Sequence, residues 1–172
     1  MIGTWRLSHC NAVLVAAYLV PAWAVAAWRI AEAPIRGFYE RANIAFALTV
    51  SDSLQLTALG MARMAWTLVV VRLTVAAFFV IFLVQIASPP RRQRGDGDEA
   101  LAIGLTLGGL VSFAGMVLAA QAGEAMALRL HATESLLLVG AAILVLAEPL
   151  TEPLTAPPGR TAAGQEIPAV TP

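Results

Sequence analysis

The sequence predicts an all-α membrane protein, a bundle of five transmembrane helices with short loops and a disordered C-terminal tail. Three observations carry this reading. Of the 172 residues, 59% are hydrophobic and 13% charged, against about 25% charged in a typical soluble domain. The apolar residues come in blocks close to the roughly 20 residues that a membrane-spanning helix needs, not in the alternation of a half-buried strand. The charges gather in the gaps between those blocks.

The predicted spans lie near 11–30, 42–62, 65–87, 100–122 and 132–149, within a helical domain over 1–150. The first contains Pro21, which removes one helical N–H and is tolerated in membrane helices. It reads as a retained helix. Cleavage after the small residues Ala24-Val25-Ala26 would leave Arg29, Arg36 and Arg41 outside, against the charge rule. The second block is the most polar, with Asn43, Thr49, Ser51, Asp52, Ser53, Gln55 and Thr57. It is counted as a span because of the arginines. With five crossings, seven of them (Arg29, Arg36, Arg41, Arg91, Arg92, Arg94 and Arg160) share one side, and Arg6, Arg63 and Arg129 the other. That asymmetry puts the N-terminus outside and the C-terminus in the cytoplasm of a bacterial inner membrane. The third and fourth blocks are the most uniformly apolar, and the fifth is short.

Between the third and fourth blocks, Ser88 to Glu99 opens with Pro89-Pro90 and runs from basic to acidic. From 151 to 172 the chain is rich in Pro, Thr and Ala and reads as a disordered cytoplasmic tail. Trp5, Trp23, Trp28 and Trp66, with Tyr18 and Tyr39, fall mostly near block ends, as an interfacial aromatic belt would.

Net formal charge is zero, with 11 basic residues, all arginine, and 11 acidic ones. This leaves no electrostatic footprint for nucleic acid. The lone cysteine, Cys10, excludes an intrachain disulfide. No phosphate-binding loop, nucleophile elbow or metalloprotease helix occurs, so no catalytic residue is assigned and an enzyme is not the expectation.

Three constellations remain. Asp52 and Arg72 stand inside apolar blocks, eleven residues before and nine after the predicted hairpin turn at Arg63. A mid-membrane charge costs at least about 2.5 kcal/mol, so the two are expected to pair at similar depth, with Ser51, Ser53 and Gln55 as polar lining beside them. Gly104, Gly108, Ser112 and Gly115 form a stripe of small residues, a helix-packing face for a neighbouring helix or another subunit. Under the five-span topology His9, Cys10 and His131 share the outer face with Met61, Met64 and Met126. Such donors suit copper, and two histidines could ligate haem, although no cofactor is the simpler expectation.

These features point to a non-catalytic subunit or partner of a larger membrane assembly, in contact with the lipid bilayer and with other subunits or copies of itself. The alternative is a small oligomeric transporter or channel with Asp52 and Arg72 on its pathway. A haem- or copper-binding membrane protein is the third reading.

Overall fold

The computed structural model describes residues 6–151, and all regular structure within them is helical. Four helices are long and apolar enough to cross a membrane. They are α1 (Leu7–Glu32), α4 (Ala58–Ala87), α6 (Asp98–Gln121) and α7 (Ala125–Thr151). At 26, 30, 24 and 27 residues and 1.5 Å rise, each exceeds the roughly 30 Å hydrocarbon thickness. Three shorter helices fill the connections: α2 (Pro34–Phe38), α3 (Ile44–Leu54) and α5 (Pro89–Arg94).

The block at 42–62 is therefore not one helix, and it supplies no fifth membrane-length element. α3 has 11 residues, about 17 Å of helix, and ends where Gln55 turns left-handed at φ 44°. Two residues later the Thr57 side chain accepts the Gly60 N–H at 3.4 Å and starts α4. A left-handed glutamine and a threonine cap are local stop and start signals that hydropathy does not register.

The long helices pack in the order α1, α4, α6, α7, and α7 closes back on α1. Each is antiparallel to the next. Ala12, Val15 and Leu19 near the start of α1 share a core with Phe79, Phe82 and Ile86 late in α4. The end of α1, at Ala27 and Ile30, meets Met61, Ala65 and Leu68 at the start of α4. The start of α1 and the last turns of α7 lie at one end of the bundle, where Ser8 donates a hydrogen bond to Glu148. An even number of long helices requires this. A fifth long helix would have separated those two helix ends.

The arginine asymmetry disappears with it. Arg29, Arg36, Arg41, Arg63 and Arg129 now lie toward the loop end, against Arg6, Arg91, Arg92 and Arg94 toward the terminal end. The tail beyond 151, including Arg160, is outside the described residues.

The connection from α1 to α4 is packed into the bundle. Phe38, Asn43, Ala45 and Ala47 are all buried. α2 lies so close to the last turn of α1 that a Cβ on Gly37 would stand 2.6 Å from the Ile30 Cα. The Asn43 side-chain amide donates to the Gly37 carbonyl at 2.9 Å and ties the connection to itself. The outer surface is apolar, with Leu14, Val25, Leu73, Phe113 and Leu146 among its exposed side chains. Threonines on it bond their own helices: Thr67, Thr74, Thr106 and Thr133 each donate to the carbonyl four residues back. That pattern satisfies hydroxyls that hydrocarbon cannot.

Candidate functional site: a polar cluster at mid-depth

All four long helices send a polar side chain to one point. Trp23 of α1, Ser112 of α6 and Glu134 of α7 each stand nine residues from the loop end of their helix, at Glu32, Gln121 and Ala125 respectively. That is about 14 Å along the axis, close to half the hydrocarbon thickness. Arg72, midway along α4, reaches the same region and is buried.

Glu134 is the centre. The Trp23 indole N–H donates to its Oε1 at 2.9 Å, and the Ser112 hydroxyl to its Oε2 at 3.2 Å. The same Oε2 lies 3.1 Å from His131 Nδ1, one helical turn earlier on α7. Arg72 supplies the opposing charge in the vicinity of Glu134. Its guanidinium carbon lies 6.0 Å from the centre of the Trp23 ring, within cation–π range.

The packed connection completes the shell. His131 Nε2 is 3.1 Å from the Ala42 carbonyl, and Arg72 Nη2 donates to that same oxygen at 3.5 Å. Phe46 of α3 meets the His131 ring edge-on, with centroids 6.1 Å apart. The small-residue stripe makes this approach possible. Gly104 faces Phe79, Gly108 faces Val75 and Leu138, and Gly115 faces His131, where a Cβ would lie 2.8 Å from the ring. The stripe thus packs inside the chain.

Hydrogen-bond chemistry then locates a proton. A carbonyl only accepts, so His131 Nε2 carries hydrogen toward Ala42. The Nδ1–Glu134 contact needs one more proton, on the imidazole or on the carboxyl. Glu134 and His131 Nδ1 therefore share a single proton site, and the two placements differ by a short transfer between neighbours.

The other sequence-derived sites are dispersed. Asp52 is exposed near the end of α3, and no ion pair joins it to Arg72 among the described residues. Ser53 and Gln55 are exposed with it and Ser51 is half-buried. None of the three lines the cavity beside Arg72. His9 and His131 sit toward opposite ends of the bundle. His9 Nε2 bonds Asp98, the first residue of α6, at 3.0 Å. His131 faces Gly115, 17 residues and about 25 Å further along the same helix. Cys10 is exposed. No group of three or more potential ligands that could hold a metal occurs among the described residues.

The sequence alone places Trp23 in the aromatic belt and Glu134 at the outer ends of the helices, so neither was expected in this cluster. A fifth span begun at 132 puts Glu134 at the membrane surface. The helix begins at Ala125, after Gly123 in a left-handed turn, and carries Glu134 to mid-depth. The available signals were Gly123-Glu124 as a helix start and the i, i+3 spacing of His131 and Glu134.

Two cavities approach the cluster from the loop end. The outer one, about 570 Å³, has Arg29, Glu40, Arg41 and Leu130 on its walls. The inner one, about 250 Å³, shares Arg29, Glu40, Ala42 and Leu130 and extends to Trp23, Arg72 and Glu134. Toward the terminal end Val75, Phe79, Phe82, Leu101, Leu105 and Leu138 fill the interior. The architecture defines a four-helix, membrane-length bundle with a buried Arg–Glu–His core open toward one end. No family model matches the chain, and no curated protein or solved structure does either.

Proposed function

We propose that this chain is a small multi-pass membrane protein of an energised membrane, such as a bacterial inner membrane, that handles protons. In this reading it carries protons across the membrane, with the Glu134–His131 pair exchanging the proton and Arg72 as the fixed counter-charge. One observation carries the reading: four apolar helices converge at mid-depth on a carboxylate and an imidazole that share a proton site. Ionisable groups at that depth are costly and mark ion or proton paths.

The access is one-sided, as alternating access requires of any single state. Cavities lead from the loop end to Glu134, and an apolar plug closes the terminal end. Beyond the plug, His9 with Asp98 and Ser8 with Glu148 provide polar groups at the far mouth. The small-residue face that a subunit reading would use for contact packs here against helices of the same chain. Asp52, exposed on α3, has no part in the proposed pathway.

The test is proton flux into vesicles that hold the purified protein and a trapped pH-sensitive dye. Glu134→Gln should reduce flux to the protein-free rate while the protein still elutes as a folded species. Asp52→Asn should leave flux unchanged. Equal flux for wild type and Glu134→Gln would dispose of the proposal.

A further inference from the structure

A further cavity opens on the outer surface, where α3 meets α4 and α6. Ala45 of α3 packs against Ala119 of α6, and Ala47 against Met61 and Ala65 of α4. The short helix thus stands between the two long ones at the loop end. Further along, α4 and α6 close on each other, and Gly108 meets Val75. Between the wedge and that closure lies a groove of about 310 Å³. Thr67 and Val71 of α4 line it with Leu110 and Ala114 of α6, and all four are exposed. Phe46 and Val50 of α3 are half-buried beside them. The groove is therefore open to whatever surrounds the bundle.

Its walls carry no charge and offer no hydrogen bond. Thr67 has the one hydroxyl among the described lining residues, and it donates to the Arg63 carbonyl of its own helix at 3.0 Å. An apolar cavity does not hold water. The space is also too small for the body of another helix, which is about 10 Å across and rises about 5.4 Å per turn. Depth then selects the occupant. α4 has 30 residues. At about 45 Å, centred on a hydrocarbon layer of roughly 30 Å, it overhangs by about 7 Å at each end. Arg63, about 8 Å from the start of α4, falls at that boundary, and Val71 lies about 12 Å deeper. Leu110, 62% exposed, stands at a similar depth on α6. The groove thus lies at the level of the acyl chains of one leaflet, below an exposed arginine. Arg63 is one turn before Thr67 on the same side of α4, and a helical side chain leans toward the N-terminus, here the headgroup side.

We propose that this groove binds one acyl chain of a phospholipid from the leaflet at the loop end, with the lipid phosphate against Arg63. The chain fills the space between α3, α4 and α6. It rests on Phe46, whose ring meets His131 edge-on. The site is one of lipid binding and is independent of proton handling, and its test reads no flux.

Leu136 supplies the reference, since it lies at matching depth on the outer face of α7 and is 75% exposed. The full chain is placed in phosphatidylglycerol vesicles with a trace of the same lipid carrying a diazirine midway along one acyl chain. After irradiation the adducts are mapped by mass spectrometry. They should concentrate at Val71, Leu110 and Ala114 over Leu136. Ala114→Phe, which fills the groove from α6, should bring Val71 and Leu110 down to the Leu136 level. Val71→Phe does the same from α4 if that variant does not fold. Diacylglycerol with the same labelled chain lacks the phosphate. It should label the groove about fivefold less, the scale for one arginine near an anionic headgroup. Arg63→Gln should remove that preference. Even labelling of the groove and Leu136, labelling unchanged by the Phe variants, or a phosphate preference that is absent or survives Arg63→Gln would overturn the proposal. So would a groove labelled less than Leu136, the pattern expected where a second copy covers it.

Discussion

At the scale of single residues, Arg72 and Glu134 decide how the core is held. Arg72 is buried at 3% exposure and Glu134 at 6%. Neither can be left alone in hydrocarbon-like surroundings without a large desolvation penalty. Glu134 is the better satisfied, with Trp23, Ser112 and His131 on its two oxygens. Arg72 has one long bond to the Ala42 carbonyl and depends on Glu134 for charge balance. Removing one member should therefore harm more than removing both. Glu134→Gln or Arg72→Met alone is expected to cost about 3 kcal/mol, the scale for an uncompensated buried charge. The double change should recover at least half of that loss. Denaturant titration of the purified protein in detergent checks it, and strictly additive losses would mean that the two charges do not interact.

At the scale of elements, α6 shows how a run of small residues acquires a direction. Gly104, Gly108, Ser112 and Gly115 face the bundle interior, whereas nothing lies within 4 Å of a Cβ placed on Gly109. Gly115→Ala would drive a methyl group to 2.8 Å from the His131 ring. It should cost about 1–3 kcal/mol, as overpacking does, and disturb the Glu134 contact with it. Gly109→Ala should be neutral or slightly stabilising, because alanine is the better helix former. Thermal unfolding of the two variants separates them, and similar losses from both would contradict the inward orientation of the stripe.

The stripe was legible in the sequence because period and residue size are local properties. Its partner was not, because which helix it meets depends on how many helices there are. The same limit explains the charge pair. Arg72 was recognisable as a buried mid-helix charge, but its expected partner, Asp52, rested on a continuous helix from 42 to 62. That continuity is broken by the backbone at Gln55 and the cap at Thr57. Glu134 was misplaced for a complementary reason. α7 starts seven residues before 132, in a stretch of mixed polarity that average hydropathy discounts.

At the scale of the whole molecule, helix parity is the decisive quantity. Four long helices bring the start of α1 beside the end of α7, through Ser8 and Glu148 and through Leu138 and Ala141 in the core that holds Ala12 and Val15. Five crossings would have put these groups about 30 Å apart, on opposite faces of a bilayer. The α2–α3 connection packs a polar, half-apolar block against the long helices without adding another long helix. Its backbone is buried against α1, α4 and α6 and its own helices satisfy most of its amides, the arrangement in which non-spanning backbone is tolerated within a membrane. The consequence is measurable in cells. Reporter tags fused to the N-terminus and to residue 172 should both be accessible from the same side of the membrane. A tag inserted after Gly123, in the loop between α6 and α7, should be accessible only from the other side. Terminal tags on opposite sides would restore an odd number of crossings. They would also separate Glu148 from Ser8 and remove the geometry in which Glu134, His131, Trp23 and Arg72 meet.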